Sequence, residues 1–371
     1  MCCPIRSVSA AIVLRLFSLN MKNRVYINGS CAISAQPTFE GDFLDNINEN
    51  VQDNVLPVIE PNYRDYIAPS AIRRMSRAVK MGIVASKRAL GEACLERPEA
   101  IAVGTGMGCV QDSEKFLRAV LDNEEQYLTP TAFIQSTHNT VAGQIALELQ
   151  CKGANFTFVD GSTSFESALS DAAMQIELGD IRNALVGGVD ENTPYCLEIY
   201  ELDNIIKPRH EAPFSITDAR SKGVVFSEGA SFFVLSDERD EHTYAALADV
   251  DFRNDVPDTG VFVGDFLSRN NLDIDDIDLM LSGRNGNSED LAGFDTAETL
   301  MRCTKLYYKH LSGDYFTASA FGFWVACNVL RSERVPQLLK PIGTPPEEVR
   351  NLLIYNQFRG KGQSLILLQK V

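Results

Sequence analysis

Residues 154–159 (Ala-Asn-Phe-Thr-Phe-Val) read as a buried strand and residues 166–179 as a helix, joined by the sharp connection Asp160-Gly161-Ser162-Thr163-Ser164. An elbow of this kind holds one side chain at a fixed, exposed point before a helix N-terminus. Free N–H groups and the helix dipole favour negative charge there. Ser162 occupies that point. A hydroxyl needs an adjacent base before it attacks an acyl carbon, whereas a thiolate is nucleophilic near neutral pH. The chain has four histidines as candidates for that base: His138, His210, His242 and His310. Ser162 therefore has two readings, acyl nucleophile or inert helix cap. The second is favoured by Thr163-Ser164-Phe165-Glu166, which satisfies the capping-box pattern, and by Asp160, whose charge opposes a developing alkoxide.

The elements that must hold this elbow alternate between strand-like and helix-like, which argues for helices layered on sheets. Residues 31–62 are polar and Asn/Asp-rich and suggest a surface excursion. Residues 72–90 carry apolar side chains at helical spacing with small Ala and Gly positions, as in a helix packed between layers. Residues 167–178 are similar, and Ala168, Ala172 and Ala173 allow close approach to a sheet. A second round begins near Thr243, with strands over 244–250 and 279–281, a buried helix over 318–330, and strands over 352–355 and 364–368. Residues 236–243 (Ser-Asp-Glu-Arg-Asp-Glu-His-Thr) read as the linker between the rounds, giving a first half over 21–240 and a second over 241–371.

The chain has 371 residues and a formal charge of −16, which opposes binding to nucleic acid. Arg73, Arg74, Arg77 and Lys80 recur at helical spacing and form either a local basic patch or a solvated helix face. Nine cysteines without a CxxC pair suit reduced thiols in a cytoplasm rather than a disulfide frame or a zinc site. The short apolar stretch 10–19 mimics an export signal, but Met21-Lys22-Asn23-Arg24 is a natural start before the first strand. Residues 1–20 are accordingly expected to be a mis-called extension or disordered. No later stretch approaches the roughly 20 apolar residues of a membrane span. Asp273, Asp275, Asp276 and Asp278 lack the central Gly and terminal Glu of a calcium loop and read as an acidic helix entry. Trp324, Phe321 and Phe323 read as core.

Several blocks, in order, resemble the β-ketoacyl-acyl carrier protein synthases of the thiolase superfamily. They are Arg24–Ser30, Ser70–Ser76 with the Ala-rich run to Leu90, Ile101–Gly108, Thr129–Phe133 through Asn139–Ile145, the elbow, Leu178–Asp180, Ala184–Asp190, Ser227–Ala230, and the last strand pair around Tyr355–Phe358 and Gln363–Leu367. The resemblance implies an α/β thiolase fold, with duplicated α/β halves in a five-layer αβαβα sandwich. It also implies a Cys-His-His set, of which the Cys accepts the acyl chain and the histidines promote decarboxylation of the malonyl unit. Ser162 falls at the Cys position. Gly283, in Leu281-Ser-Gly-Arg-Asn-Gly-Asn-Ser288, falls at the first histidine position. For the second, one register gives Tyr315 and another, through His310-Leu311-Ser312-Gly313, gives His310 beside Lys309. The family's glycine-rich gate corresponds to Asn356–Gly362, where Arg359 and Lys361 intrude. Phe133 and Phe358 fall at substrate-contact positions, and Phe133, Ile134 and residues 150–165 at the dimer interface. His138, near that interface, reads as a structural histidine.

These implications favour a non-condensing subunit resembling a chain-length factor. It would be cytoplasmic, heterodimeric with an active ketosynthase and served by acyl carrier protein, in fatty acid, polyketide or aryl polyene-type biosynthesis. One alternative is an acyltransferase or condensing enzyme using Ser162 with His310 as base. Another is a homodimer that binds acyl chains or carrier protein without chemistry. No cofactor and no metal are expected.

Overall fold

A computed structural model of the chain describes residues 24–40, 48–217 and 219–371; the extension expected over 1–20 lies outside the described residues. The first half runs β1 (Val25–Ile33), α1 (Pro69–Ile72), α2 (Arg77–Glu92), β2 (Ala100–Gly104), α3 (Val110–Asp122), α4 (Pro130–Gln135), α5 (Thr140–Leu149), β3 (Ala154–Phe158), α6 (Ser164–Glu177), β4 (Asn183–Asp190), α7 (Pro194–Leu202) and β5 (Gly229–Ser236). The second half runs β6 (Ala245–Arg253), α8 (Thr259–Arg269), β7 (Leu279–Ser282), α9 (Leu291–Leu300), β8 (Thr304–Tyr307), α10 (Lys309–Ser312), α11 (Ala318–Ser332), β9 (Asn351–Phe358) and β10 (Lys361–Gln369).

All ten strands join one sheet in the order β3-β2-β4-β5-β1-β6-β10-β9-β7-β8. The order is a duplication. β2 is parallel to β3 and β4, as β7 is to β8 and β9. β5 lies antiparallel between β4 and β1, as β10 does between β9 and β6. The halves meet where β1 pairs antiparallel with β6, at Val25↔Leu247, Tyr26↔Ala246 and Ile27↔Ala245.

Strand side chains point alternately to opposite faces, so a strand covered on both sides is apolar throughout and divides its residues between two cores. Ala100 and Ala102 of β2 enter the central core, and Ile101 and Val103 an outer one. Likewise Leu352 and Ile354 of β9 face the centre while Leu353 and Tyr355 face the other outer core. The central core holds α6 and α11 between the halves, through Phe165, Leu169 and Ile176 and through Phe323, Val325 and Val329. Helices α2 and α5 cover the first half outside, and α8 and α9 the second. This is the five-layer arrangement.

Several local expectations are corrected. Strand β3 is apolar enough to read as buried, yet it ends the sheet and leaves Asn155 and Phe156 exposed. The helix expected over 72–90 is broken because Ser76 caps a new start, its Oγ accepting from Val79 N at 3.4 Å. Arg73 and Arg74 consequently lie exposed in the connection, Arg77 pairs with Glu60 and Glu228, and Lys80 lies over the Tyr63 ring, so the four cations share no helix face. Thr163 makes no capping bond either. Glu166 turns inward instead and accepts from Ser364 Oγ at 2.8 Å. The stretch after β1 is also tied in more than its polarity suggests. Gln36 is buried and donates to the carbonyls of Asn48 and Leu311. The acidic run before β7 behaves as expected, since Asp273 and Asp276 form a capping box, and Trp324, Phe321 and Phe323 are core.

Candidate functional site

Open α/β sheets place their working loops beyond the carboxyl ends of parallel strands, and both halves do so here. After β3 the chain turns through Gly161, whose φ is +59°. Ser164 Oγ donates to Gly161 O at 2.7 Å and accepts from Asp160 N at 2.9 Å. Thr163 Oγ1 donates to Asp160 O at 3.1 Å, and Ser167 Oγ reaches Asp160 Oδ2 at 2.9 Å. These bonds use the polar side chains of the elbow except one: Ser162 Oγ has no hydrogen-bond partner among the described residues. Ser162 is half-buried and lines an open cavity of about 660 Å³.

The β9–β10 hairpin forms the opposite wall. Its two turn residues, Arg359 and Gly360, have φ of +53° and +66°, the left-handed pair that a two-residue hairpin between twisted strands requires. A Cβ at Gly362, whose φ is +59°, would stand 2.5 Å from Ser162 Oγ, so glycine there lets the hairpin lie against the elbow. Phe358 and Phe316 pack ring to ring at 5.4 Å and wall the same cavity. Arg359 and Lys361 stand on it too, with Arg359 reaching Asp203 at 3.4 Å. The structure thus brings Ser162 and Phe358 together.

It does not bring His310 to them. His310, on α10, is buried and donates from Nε2 to the Leu338 carbonyl at 2.6 Å, leaving Nδ1 without a partner among the described residues. Burial pushes its pKa down to about 4, so the ring is neutral near pH 7. It lines a separate cavity of about 20 Å³, room for about one water. Tyr315, the other register, is buried with Ile206 and Phe226. At Gly283 an added Cβ would come 2.3 Å from Asn356 Oδ1, so any side chain there would have to displace the Asn356 amide. Phe133, on α4, is 57% exposed, packs beside Phe116 at 5.5 Å and lies outside the Ser162 cavity of its own chain. His138 is exposed.

What sequence reasoning missed is a buried polar network in the second half. Lys309 Nζ lies 2.8 Å from Asp314 Oδ1, with both side chains 1% exposed. Asn285 Nδ2 donates to Asp314 Oδ2 at 3.0 Å and to Asp290 Oδ2 at 2.9 Å, and Asn287 Nδ2 donates to Asp290 Oδ2 at 3.1 Å. Burial raises the pKa of Asp314, and the Lys309 charge opposes that rise. The signal was present in two polar runs, 285–290 and 309–314, each directly after a parallel strand end. Asp190 performs a similar anchoring task, accepting from Gly106 N, Thr317 N and Thr317 Oγ1, each at 2.8 Å. A nucleophile needs a base within hydrogen-bond reach, and Ser162 has none among the described residues. None of the described His, Cys, Asp and Glu residues form a group of three or more able to hold a metal ion.

Residues 60–241 match the family model described as Beta-ketoacyl synthase, N-terminal domain. The 3-oxoacyl-[acyl-carrier-protein] synthase 2 of Vibrio harveyi is 24% identical over 196 residues, which cover 50% of this chain and 47% of the relative. The chain thus matches about half the length of that curated relative. A β-ketoacyl synthase structure from Burkholderia phymatum STM815 superposes with a TM-score of 0.79 at 17% identity, covering 95% of this chain and 100% of the other. The ishigamide ketosynthase/chain length factor superposes at 0.78 and 16% identity, covering 94% of this chain and 100% of the other. At these identities the structures share the fold. The family match over residues 60–241, the duplicated strand order and these superpositions agree: the chain is β-ketoacyl synthase-like over that stretch and has the thiolase fold.

Proposed function

We propose that this chain is a non-condensing, cytoplasmic ketosynthase-like subunit of chain-length-factor type. It pairs with an active ketosynthase in fatty acid, polyketide or aryl polyene-type biosynthesis and works on acyl chains carried by acyl carrier protein. One observation carries the reading: the elbow position holds a serine whose hydroxyl meets no base, while His310 is committed to the Leu338 carbonyl in another cavity. Decarboxylative condensation needs a thiolate and imidazole donors, and no described Cys or His lines the Ser162 cavity, which supports the reading. The likeness to a ketosynthase/chain length factor supports the same reading. Pairing has a ready surface, because β3 ends the sheet and carries exposed Phe156, with Val159 exposed just after it. Exposed edges and large apolar patches are rarely left uncovered in soluble proteins. Exposed Arg73 and Arg74 supply cations for an acidic carrier protein.

The test is reconstitution. The chain is mixed with a condensing ketosynthase that co-purifies with it, plus malonyl-loaded carrier protein. Chain extension only in the presence of both proteins, unchanged with Ser162→Ala in this chain, is the expected result. Extension by this chain alone would overturn the proposal.

The open cavity at Ser162 favours one second reading, a serine acyl-enzyme. It requires a base that the described residues do not place, so it ranks below the first.

A further inference from the structure

A cavity of about 340 Å³ opens between α1, the start of α2, α4 and α5, apart from the Ser162 cavity. That volume lies in the range of small-molecule sites, about 300–1,000 Å³. Asp112, in the first turn of α3, lines it. The residue is only 9% exposed and has no hydrogen-bond or ion-pair partner among the described residues. The helix dipole favours a negative charge at that position, its oxygens open onto the cavity, and burial of the residue raises its pKa. The nearest opposing charge is Lys115, exposed one turn along α3. Glu191 is a second carboxyl close by, buried and accepting from Ala78 N at 2.7 Å and Gln111 N at 2.9 Å, and burial pushes its pKa up to about 7. The other charged residue on the cavity is Arg74, exposed at the rim. Gln144, Thr140 and Ser76 contribute further polar groups, and Met75 and Val79 an apolar wall.

This combination suits a small group that is positive at one end and aliphatic at the other. We propose that the cavity binds an organic cation, an alkylammonium or guanidinium group, with Asp112 as counter-ion and Met75 and Val79 against its carbon chain. The cation has two possible sources: a free amine, or a Lys or Arg side chain of a protein seated on the neighbouring face. That face is close, because Gln135 of the cavity ends the helix that exposes Phe133 and Ile134.

The experiment is calorimetric titration of the full chain with n-butylguanidinium, with n-butanol as the neutral counterpart, and with an end-blocked pentapeptide carrying one central arginine. Saturable binding of both cations is expected, with none of butanol. Asp112→Asn should weaken it at least tenfold, and Asp112→Glu should keep it. In the wild type the affinity should fall as pH drops and Asp112 takes up a proton, which keeps the test valid if Asp112→Asn misfolds. A tighter peptide than guanidinium points to a protein side chain, and equal affinities to a free amine. Absence of saturable cation binding by the wild type, or binding that survives Asp112→Asn and does not change with pH, would overturn the proposal.

Discussion

At the scale of single residues, His310 offers the sharpest physical handle. Its ring is held neutral by burial with a pKa near 4, against 6.5 for the free group. Below pH 6.5 the unfolded chain takes up a proton that the folded chain refuses, so this contribution to stability is whole above that pH and lost as pH falls toward 4. The full depression represents about 3.4 kcal/mol, of which about 2–3 kcal/mol is lost between pH 7.5 and pH 4.5. Urea unfolding of wild type and His310→Gln at pH 7.5 and pH 4.5 should therefore show the wild type losing about that much more than the variant; parallel losses would contradict it. Ser162 itself was legible in the sequence, because a strand, a glycine turn and a helix fix an elbow without any distant information. The aim of His310 was not. Its partner, the Leu338 carbonyl, lies 28 residues away, and nothing local says which way an imidazole turns.

Among the elements, the loops after β7 and β8 matter most, because they meet in a buried network that joins Asn285 to Asp314 and Lys309. Removing one partner of a buried ion pair strands the other charge, which costs about 3–5 kcal/mol, whereas replacing both by apolar groups of similar size is far milder. Lys309→Met should thus destabilise by about 3–5 kcal/mol in chemical denaturation, and Lys309→Met with Asp314→Leu by clearly less. Equal losses in the two variants would show that the pair is not coupled. Polar runs such as 285–290 look like surface loops in a sequence, since burial is decided by what the second half folds against. The same blindness hid the position of β3. Phe156 and Phe158 suggest burial, and only the sheet order shows that no described strand covers its outer edge. The break before α2 was readable in principle, because Ser76 is a good N-cap, but the apolar spacing ran through it.

Across the whole molecule, the duplication organises everything else: two mirrored sets of strands, two central helices, and one elbow facing one hairpin. Strand β3 ends the sheet and carries exposed Phe156. Phe156→Lys, on an exposed strand position, should weaken association with a second subunit at least tenfold in sedimentation velocity while leaving the melting temperature of the separated chain within a few degrees. Unaltered association would move the interface elsewhere. The five layers and the halves were legible from the family blocks and the alternation of segments, whereas the cavity walls were not, because they form between segments far apart in the chain. On the proposed reading, no residue of this chain takes up an acyl group. Intact-mass measurement after incubation with acyl-loaded carrier protein, for wild type and Ser162→Ala, alone and beside an active ketosynthase, tests it most directly. The account predicts that both versions keep their unmodified mass while the partner ketosynthase gains the acyl group; an acyl adduct on the wild type that vanishes in Ser162→Ala would contradict it.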